Sequence, residues 1–561
     1  MAQQTSAGMT DALTPDPAVI GDLLRGLRNG LPIAPEAYPL PGPLHACLRQ
    51  KGRRLAEIWI DNGSLASAFA EILARPEAQV ADALTLCITH DWQAVPPERF
   101  ERVFTQAARG RLGVALVLNG QERRLAPIEA IASNRSFARW LERERTAADL
   151  MPSDSLTADN ELRCFAARQL HLAPFSAPLC TDLSYGAPAV QPETFDRAEL
   201  DRLIAGMTDW LAANLRDDGH LTYKYWPSRG RESEADNPIR RFMGTLALIR
   251  TAQMQGAPAL MARAAANLQF NLDRFYRSEN GLGLIDWQGQ VKLGAVALAA
   301  LAILLHPDRA RWREPYRRLS VTVDSLQGSD GAFRSFLLPA ERNDNQNFYP
   351  GEALLFWANR LQADPAEGLQ ARFLASFAHY RAWHRRARNP AFVPWHSQAY
   401  ALAFAVLRQR DLRDFVLEMN DWLLPLQQWG QPLAPDFWGR FYDPERPDYG
   451  PPHASSTGVY IEGLAAALAL ALEAGETARA ARYERAIWRA ARNLRQLQFK
   501  GPIDAFYIRR RSKVLGGLRT ETYNNEIRVD NVQHGLLGLL AARSLLRQAS
   551  LPAAEDACSG G

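Results

Sequence analysis

The stretch Tyr523-Asn-Asn-Glu-Ile-Arg-Val-Asp-Asn-Val-Gln-His-Gly-Leu-Leu-Gly-Leu-Leu540 begins as a polar loop and ends as an apolar helix. Asp530 and His534 are four residues apart, so they share one face of the predicted helix. That face lies in the first turns, where free backbone N–H groups and the helix dipole favour anions. Arg528 stands just before the helix. The same succession of polar loop and apolar helix recurs upstream at regular intervals, and it therefore indicates the architecture of the whole chain.

The recurrence predicts helices that alternate in character from Glu199 to about Gln548. One kind is short, apolar and rich in small residues, as in Leu293-Gly-Ala-Val-Ala-Leu-Ala-Ala-Leu-Ala302, and the other is longer and amphipathic. Helices that are apolar all round are buried, and amphipathic helices cover them. The alternation therefore predicts a mainly α protein built on an (α/α)6 toroid, with an inner ring of six helices inside an outer ring of six.

The connections of the predicted toroid differ in length. Links from an inner helix to the next outer one are short, and links from an outer helix to its inner partner are long: 216–238, 278–291, 328–350, 387–395, 429–457 and 499–530. All six long links fall at one end of the toroid, where binding and catalysis are expected. Turn signals in the first three of them predict a short hairpin after each outer helix.

The residues before the toroid change in character along the chain. Residues 1–40 predict a loosely held arm, residues 41–180 a smaller α+β domain, residues 181–198 a linker, and residues 549–561 a disordered tail. Within 41–180, the apolar runs Leu44–Leu48, Ala56–Ile60, Ala83–Thr89 and Val114–Leu118 predict strands, and Leu65–Ala74 and Pro97–Gly110 predict helices.

The α+β region resembles the AMMECR-type domain in three phrases: Pro43-Leu-His-Ala-Cys-Leu48, Lys51-Gly-Arg-Arg-Leu55 and Gly113-Val-Ala-Leu-Val-Leu-Asn-Gly120. The characteristic Leu-Arg-Gly-Cys-Ile-Gly run of that family is replaced here by Leu55-Ala-Glu-Ile-Trp-Ile60. The resemblance implies a fold for this region and no activity.

Composition limits the classes of function. The chain has 561 residues, 47% hydrophobic and 22% charged, with a net charge of +4, which does not by itself suggest nucleic acid. There is no secretory signal pattern, no apolar run long enough to span a membrane, and no Cys-x-x-Cys pair among the five cysteines. We expect a cytoplasmic protein without a metal or a cofactor, and its oligomeric state stays open.

Aromatic residues mixed with carboxylates, Asn and Arg in the long loops suit sugar recognition, because a pyranose face stacks on an aromatic ring. Glycoside hydrolysis needs two carboxyl groups flanking the scissile bond. The candidate catalytic residues are Glu352, Glu462, Asp530, His534, Asp344 and Asp436. For each carboxylate the alternative interpretation is a helix N-cap or a salt bridge with a neighbouring Arg.

The candidate substrate-binding residues come from the same loops. They are Tyr225, Trp226, Asp236, Arg240, Trp287, Tyr349, Trp395, His396, Trp438, His453, Tyr460, Tyr523 and Arg528. The two histidines could be a base, a hydrogen-bonding wall residue or a structural histidine. No Gly-rich phosphate loop and no zinc-helix spacing of histidines is present.

The helical half resembles six-hairpin toroid proteins, namely glycoside hydrolases, uronate lyases and sugar epimerases, in Tyr349-Pro-Gly-Glu-Ala-Leu-Leu355, Ser456-Thr-Gly-Val-Tyr-Ile-Glu-Gly-Leu464 and Arg528-Val-Asp-Asn-Val-Gln-His534. The hypothesis is a carbohydrate-active enzyme that hydrolyses a glycosidic bond of an oligo- or polysaccharide. A uronic-acid epimerase or lyase, and a non-catalytic glycan-binding or scaffold protein, are the alternatives, because a fold does not determine function.

Overall fold

The computed structural model describes residues 15–118, 120–147 and 161–551. It contains a sheet domain followed by a helical toroid, which confirms the predicted fold class. Most of the predicted C-terminal tail and the start of the predicted N-terminal arm lie outside the described residues.

The first domain is a seven-stranded antiparallel sheet with short helices around it, in the strand order β2-β1-β3-β6-β4-β5, with β7 also paired to β6. Its helices are α1 (Pro17–Arg28), α2 (Leu65–Leu73), α3 (Phe100–Val103), α4 (Pro127–Ser133) and α5 (Phe137–Thr146). Its strands are β1 (Leu44–Gln50), β2 (Arg53–Ile60), β3 (Ala83–Ala94), β4 (Leu112–Leu118), β5 (Gln121–Leu125), β6 (Leu162–Ala173) and β7 (Leu179–Leu183).

The two faces of this sheet differ in chemistry because side chains alternate along a strand. Leu44, Ala46 and Leu48 of β1 belong to the core that α1 and α2 cover. His45, Cys47 and Arg49 point to the opposite face, where all three are also buried.

Two sequence expectations for this region are corrected. The predicted helix Pro97–Gly110 is only the four-residue α3 between two 3-10 turns, since prolines begin it and Phe104 leaves helical geometry. The predicted linker 181–198 starts inside β7 and is then held by the toroid, where the backbone N–H of Val190 donates to Gln496 Oε1 at 2.7 Å.

The toroid consists of twelve helices in alternating outer and inner positions. The outer helices are α6 (Arg197–Asn214), α8 (Pro258–Phe275), α10 (Arg313–Ser325), α12 (Glu367–Arg386), α14 (Arg410–Leu423) and α16 (Thr477–Leu497). The inner helices are α7 (Pro238–Gln255), α9 (Leu293–Leu305), α11 (Tyr349–Ala363), α13 (Phe392–Leu407), α15 (Ala454–Glu473) and α17 (Val529–Ala542).

The inner helices form a closed ring. Each contacts the next along the chain, and α17 returns to contact α7. Every outer helix packs on an inner one, with α6 on α17 closing the outer layer. Among the described residues, α15 is the one helix that is long and apolar enough to cross a membrane, but 72% of that window is buried inside the toroid.

Short strands join the long loops in pairs at one end of the toroid. One sheet combines β10 (Tyr276–Glu279), β11 (Leu282–Trp287), β12 (Gln290–Lys292) and β13 (Phe336–Leu338). The other combines β14 (Arg519–Glu521), β15 (Asn524–Arg528), β8 (Lys224–Trp226) and β9 (Arg231–Glu232), so the first and last long loops meet.

The repeated turns after the outer helices lock neighbouring hairpins together. Gly219 lies against the backbone of Ala266 in α8, Gly331 against Ala375 in α12, and Gly439 against Arg489 in α16. Gly516, after α16, lies against Gly206 in α6 and closes the circle. At Gly331, with φ +83°, an added Cβ would overlap the carbonyl oxygen of Ala375. These loops therefore need glycine both for backbone geometry and for close packing.

The two domains share one continuous apolar core. Cys87, Ala126, Ile128 and Leu183 of the first domain belong to the same cluster of buried residues as the toroid helices. Gly52, in the turn between β1 and β2, packs on the backbone of Ile508 in the last long loop. The first domain is therefore built onto the loop end of the toroid.

We expect Gly331→Ala to lower the free energy of unfolding by about 2–4 kcal/mol, because it combines an unfavourable positive φ with overlap on α12. Gly281→Ala is the matched control, since Gly281 has φ +81° but nothing within 4 Å of an added Cβ. It should cost only about 1 kcal/mol. Urea denaturation measures both, and equal losses would contradict the role of the close contact.

Candidate active site

A cavity of about 400 Å³ opens at the loop end of the toroid. Its size falls within the range of roughly 300–1,000 Å³ that small-molecule sites occupy. Five of the six inner helices contribute their N-terminal residues to it. The lining includes Asn237, Arg240, Met243, Asn345, Phe348, Tyr349, Glu352, Trp395, Phe441, Tyr442, Asp443, Tyr449, His453, Ser455, Tyr460, Asp530, Gln533 and His534.

A carboxylate held between two guanidinium groups forms one wall of the cavity. Arg528 binds Asp530 through two hydrogen bonds of 3.0 Å, and Arg240 Nε approaches Asp530 Oδ2 to 2.8 Å. Burial alone would raise the pKa of Asp530, but Arg240 and Arg528 outweigh it and hold that pKa below its ordinary value. Asp530 therefore stays ionised at neutral pH, with both oxygens already engaged.

Glu352 contributes a carboxyl group of the opposite character. It lies in the first turn of α11 with 3% of its surface exposed, and its Oε2 has no hydrogen-bond partner among the described residues. The carboxyl group packs on Gly294 of the neighbouring helix α9, where any larger residue would collide with it. Burial raises the pKa of Glu352 to about 8, so the group is largely protonated at pH 7.

A histidine–carboxylate pair forms a third ionisable feature of the cavity. His534 Nδ1 lies 2.7 Å from Glu462 Oε1, and the edge of His534 packs on Trp395 with ring centroids 5.8 Å apart. Helices α15 and α17 can approach this closely because Gly458 faces Gly535 across their contact. Burial raises the pKa of Glu462, while its hydrogen bond to His534 opposes that effect.

His453 has a structural bond and a neutral ring. Its Nδ1 accepts from the backbone N–H of Ser456 at 3.0 Å and so caps helix α15. Burial, with Arg528 nearby, lowers the pKa of His453 to about 4. Because Nδ1 is an acceptor, the proton of the neutral ring is on Nε2, and this N–H can donate within the cavity.

Aromatic and amide side chains form the rest of the wall. Trp395 and Tyr460 are both nearly buried, and Phe348 is 42% exposed. Gln533 is fully buried, and neither its Nε2 nor its Oε1 has a partner among the described residues. Sequence reasoning missed Gln533, although its position between Asp530 and His534, within one turn of each, indicates the same helix face.

The structure brings together eight of the predicted site residues as cavity lining, namely Arg240, Tyr349, Glu352, Trp395, His453, Tyr460, Asp530 and His534. Arg528 and Glu462 lie directly behind this lining and are bonded to Asp530 and His534. The remaining nine predicted residues do not line the cavity.

Four of these nine are polar residues with structural partners. Asp344 pairs with exposed Arg342, and Asp236 pairs with Arg241 and Arg274. Asp436 is buried at the domain boundary, where it accepts from Ser184 Oγ at 2.8 Å. His396 is fully buried and stacked on Phe392 at 3.5 Å, and its burial lowers its pKa to about 3.

The other five are aromatic residues that serve packing. Tyr225 is buried in β8, and Trp226 lies outside the cavity beneath Arg229 and Arg231. Trp287 packs on Phe275, Trp438 on Trp429, and Tyr523 on Phe437.

Within residues 15–118, 120–147 and 161–551, no group of three or more His, Cys, Asp or Glu side chains is arranged to hold a metal ion.

No model of a protein family matches the chain, and no curated protein matches it. Solved structures do resemble it. An inactive variant of the α-1,6-mannanase GH76A of Salegentibacter sp. HEL1_6, in complex with α-1,6-mannotriose, is 10% identical and covers 62% of this chain and 99% of its own, with a TM-score of 0.44. The cellobiose 2-epimerase of Bacillus thermoamylovorans B4167 is also 10% identical. It covers 61% of this chain and 98% of its own, with a TM-score of 0.45.

An unsaturated glucuronyl hydrolase specific for heparin gives similar values, with 10% identity, coverage of 63% and 99%, and a TM-score of 0.43. The likeness is one of fold alone. The chain is similar to six-hairpin toroid proteins, and these differ among themselves in the reaction they carry out.

Titration of Glu352 provides a test of this geometry. Burial raises its pKa from an ordinary value of 4.5 to about 8 in the folded protein, so the folded state binds more protons between these values and loses stability as the pH rises. Glu352→Gln removes this loss. We expect its unfolding free energy to rise relative to wild type by about 3 kcal/mol between pH 5 and pH 8.

Chemical denaturation across that pH range measures the effect. Glu445→Gln is the matched control, because Glu445 is an exposed glutamate of a long loop. A difference between Glu352→Gln and wild type that does not vary with pH would contradict the assignment of a protonated Glu352.

Proposed function

We propose that the protein is a carbohydrate-active enzyme and that the cavity at the loop end of the toroid is its active site. The observation that carries the proposal is the bond between His534 and Glu462 in the cavity that also contains the protonated Glu352. An oriented histidine and a neutral carboxylic acid supply a base and an acid at neutral pH.

His534 is the proposed base. Because Nδ1 faces Glu462, the neutral ring directs its proton to that carboxylate and leaves Nε2 as an acceptor. Glu462 stabilises the imidazolium that forms when His534 takes a proton, and the packing of Trp395 restricts the ring. Glu462 is thus a positioning residue, since it acts through His534.

Glu352 is the proposed acid. Its raised pKa keeps a proton on the carboxyl group near neutral pH, where it can be given to an oxygen or a carbon of the substrate. Tyr349 adjoins it in the cavity wall, and burial raises the pKa of Tyr349. Trp395, Tyr349 and Tyr460 offer apolar ring surface for a sugar, and the unpartnered Gln533 offers both a donor and an acceptor.

This arrangement favours proton abstraction from a sugar carbon, as in an epimerase or a lyase. The base takes the proton from carbon, the acid returns a proton to the other face or to the leaving oxygen, and Arg240 and Arg528 lie near enough to the cavity to neutralise negative charge on the substrate. Among uronic acids that charge is a carboxylate beside the carbon that loses its proton.

Hydrolysis of a glycosidic bond is the second candidate. The contrast between protonated Glu352 and ionised Asp530 within one cavity favours it, since two carboxyl groups with separated pKa values can act as acid and nucleophile or base. Against it, both oxygens of Asp530 are already bound by Arg240 and Arg528, and Glu462 does not reach the cavity lining.

The products discriminate between the two reactions. The wild-type enzyme is incubated in D2O with a panel of uronate-bearing and neutral oligosaccharides, and the products are analysed by mass spectrometry and for reducing ends. Carbon-bound deuterium or an unsaturated product supports proton abstraction, whereas new reducing ends with neither deuterium nor unsaturation support hydrolysis. Turnover of no glycan would favour a binding or scaffold protein and overturn both.

For whichever glycan is converted, we expect His534→Ala to lower kcat by about a hundredfold or more, because the base is lost. Glu462→Gln should give a smaller loss of kcat, since the imidazolium loses its carboxylate partner while the base itself remains. His379→Ala, which alters a histidine on outer helix α12, is the control and should retain activity. Full activity of His534→Ala would rule out the proposed base.

A further inference from the structure

A strongly basic surface adjoins the cavity and is not used by the proposed chemistry. It consists of nine cationic residues from three segments, here called the basic surface: Lys51 and Arg53; Lys224, Arg229 and Arg231; and Arg509, Arg510, Arg511 and Lys513. Six of them, namely Lys51, Arg53, Arg229, Arg231, Arg509 and Arg510, are exposed.

Backbone contacts bring the three segments together. Gly52, between the two cationic residues of the first domain, packs on the carbonyl of Ile508, which directly precedes Arg509. Asn214, at the end of α6, joins the other two segments. Its Nδ2 donates to the carbonyl of Lys513 at 3.5 Å, and its own carbonyl accepts from the backbone N–H of Thr222 at 3.1 Å. The basic surface therefore spans both domains.

Most charges of the basic surface are not neutralised within the protein. Lys224 pairs with Glu526 at 3.0 Å, but the other eight cations have no ion-pair partner in the described part of the chain. Of the neighbouring acids, Glu232 accepts from Thr222 at 2.7 Å and Asp82 accepts from the backbone N–H of Lys51, so they offset part of the charge without forming an ion pair with these eight cations. This concentration of charge contrasts with the net charge of only +4 for the whole chain.

The basic surface leads directly to the cavity. Strand β8 pairs with β15 so that Lys224 stands opposite Arg528, the residue that binds Asp530 in the cavity wall. The backbone N–H of Val529 also donates to the carbonyl of Tyr223, whose hydroxyl accepts from Arg240. Cations thus continue from the first domain through β8 to the two arginines beside the cavity.

From this continuity we infer that the basic surface binds an extended uronate-bearing polysaccharide and leads its end to the cavity. Arginine side chains bind carboxylates in pairs of hydrogen bonds, and a row of them suits a polymer with one carboxylate per sugar. Binding of the polysaccharide to the basic surface does not depend on the proposed function. Delivery of its end to the cavity as a substrate rests on that function. It also gives the first domain a role, because Lys51 and Arg53 extend the binding surface.

Binding of polygalacturonate to the full-length protein tests the inference without requiring turnover. A neutral galactan of the same length, an RNA oligonucleotide of the same charge and vesicles with anionic headgroups are measured beside it. We expect polygalacturonate to bind most tightly and its affinity to fall as salt rises. The combined variant R229S/R231S/R509S/R510S should weaken binding at least about tenfold, and K51S/R53S should weaken it less.

The matched control is R309S/R313S/R386S/R410S, which removes four exposed arginines from outer helices and their turns on the remaining circumference of the toroid. Both combined variants remove four positive charges from a net charge of +4, so both reach 0. A general effect of net charge would weaken them equally and would overturn the inference. Undetectable polygalacturonate binding, equal binding of the galactan, or tighter binding of RNA or vesicles would also overturn it.

The variant His534→Ala separates this inference from the proposed chemistry. We expect it to bind polygalacturonate as wild type does, because the basic surface is intact. If polygalacturonate binds but His534→Ala remains fully active, the proposed base is wrong and the binding surface stands. If His534→Ala is inactive but wild type does not bind polygalacturonate, the binding surface is wrong and the base stands.

Discussion

The contact between a loop glycine and the backbone of the next outer helix is the constraint on which the toroid depends. It recurs after α6, α10, α14 and α16, and the last instance joins the last hairpin of the toroid to its first helix. Each such contact fixes where a long loop leaves the outer layer. Because the loops start from fixed points, the inner helices that follow them enter the ring with their N-termini at a common end.

That common end determines the electrostatics of the cavity. Inner-helix N-termini present free N–H groups and favour negative charge. Arg240 and Arg528 add to this preference, and Asp530 partly offsets them. Glu352, placed on the apolar flank of α9, responds to burial instead and holds its proton. Ionised and protonated carboxyl groups therefore coexist in one small volume because their neighbours differ.

Much of the fold and part of the site could be predicted from the sequence. The composition of apolar helices such as Leu293–Leu305 indicates that they are buried. Residues in the first turns of inner helices, such as Glu352 and Asp530, reach the cavity because a helix fixes the direction of its side chains. Loop residues could not be placed in this way. Asp436 accepts from Ser184 beside the first domain, and Tyr523 packs in a cluster with Ile131 of that domain, since no periodicity fixes the direction of a side chain on a loop.

The first domain was the least predictable part. Strand β6 was not predicted from the sequence. Its pairing with β3 and β4 depends on contacts between residues that are distant in the chain. The apparent linker 181–198 contributes to the joint between the domains because Arg492 of α16 donates to the carbonyl of Val190 at 2.9 Å.

Hydrogen bonds between the first domain and strand β15 also affect the cavity. Asn525 of β15 donates through Nδ2 to the carbonyl of Ile131 at 2.9 Å, and Asn134 Nδ2 donates to Asn524 Oδ1 at 3.0 Å. Three residues after Asn525, the same strand delivers Arg528 to Asp530. A recombination event that exchanged the first domain for an unrelated one would thus leave this strand without its anchor. The two halves of the gene are expected to be inherited as a unit.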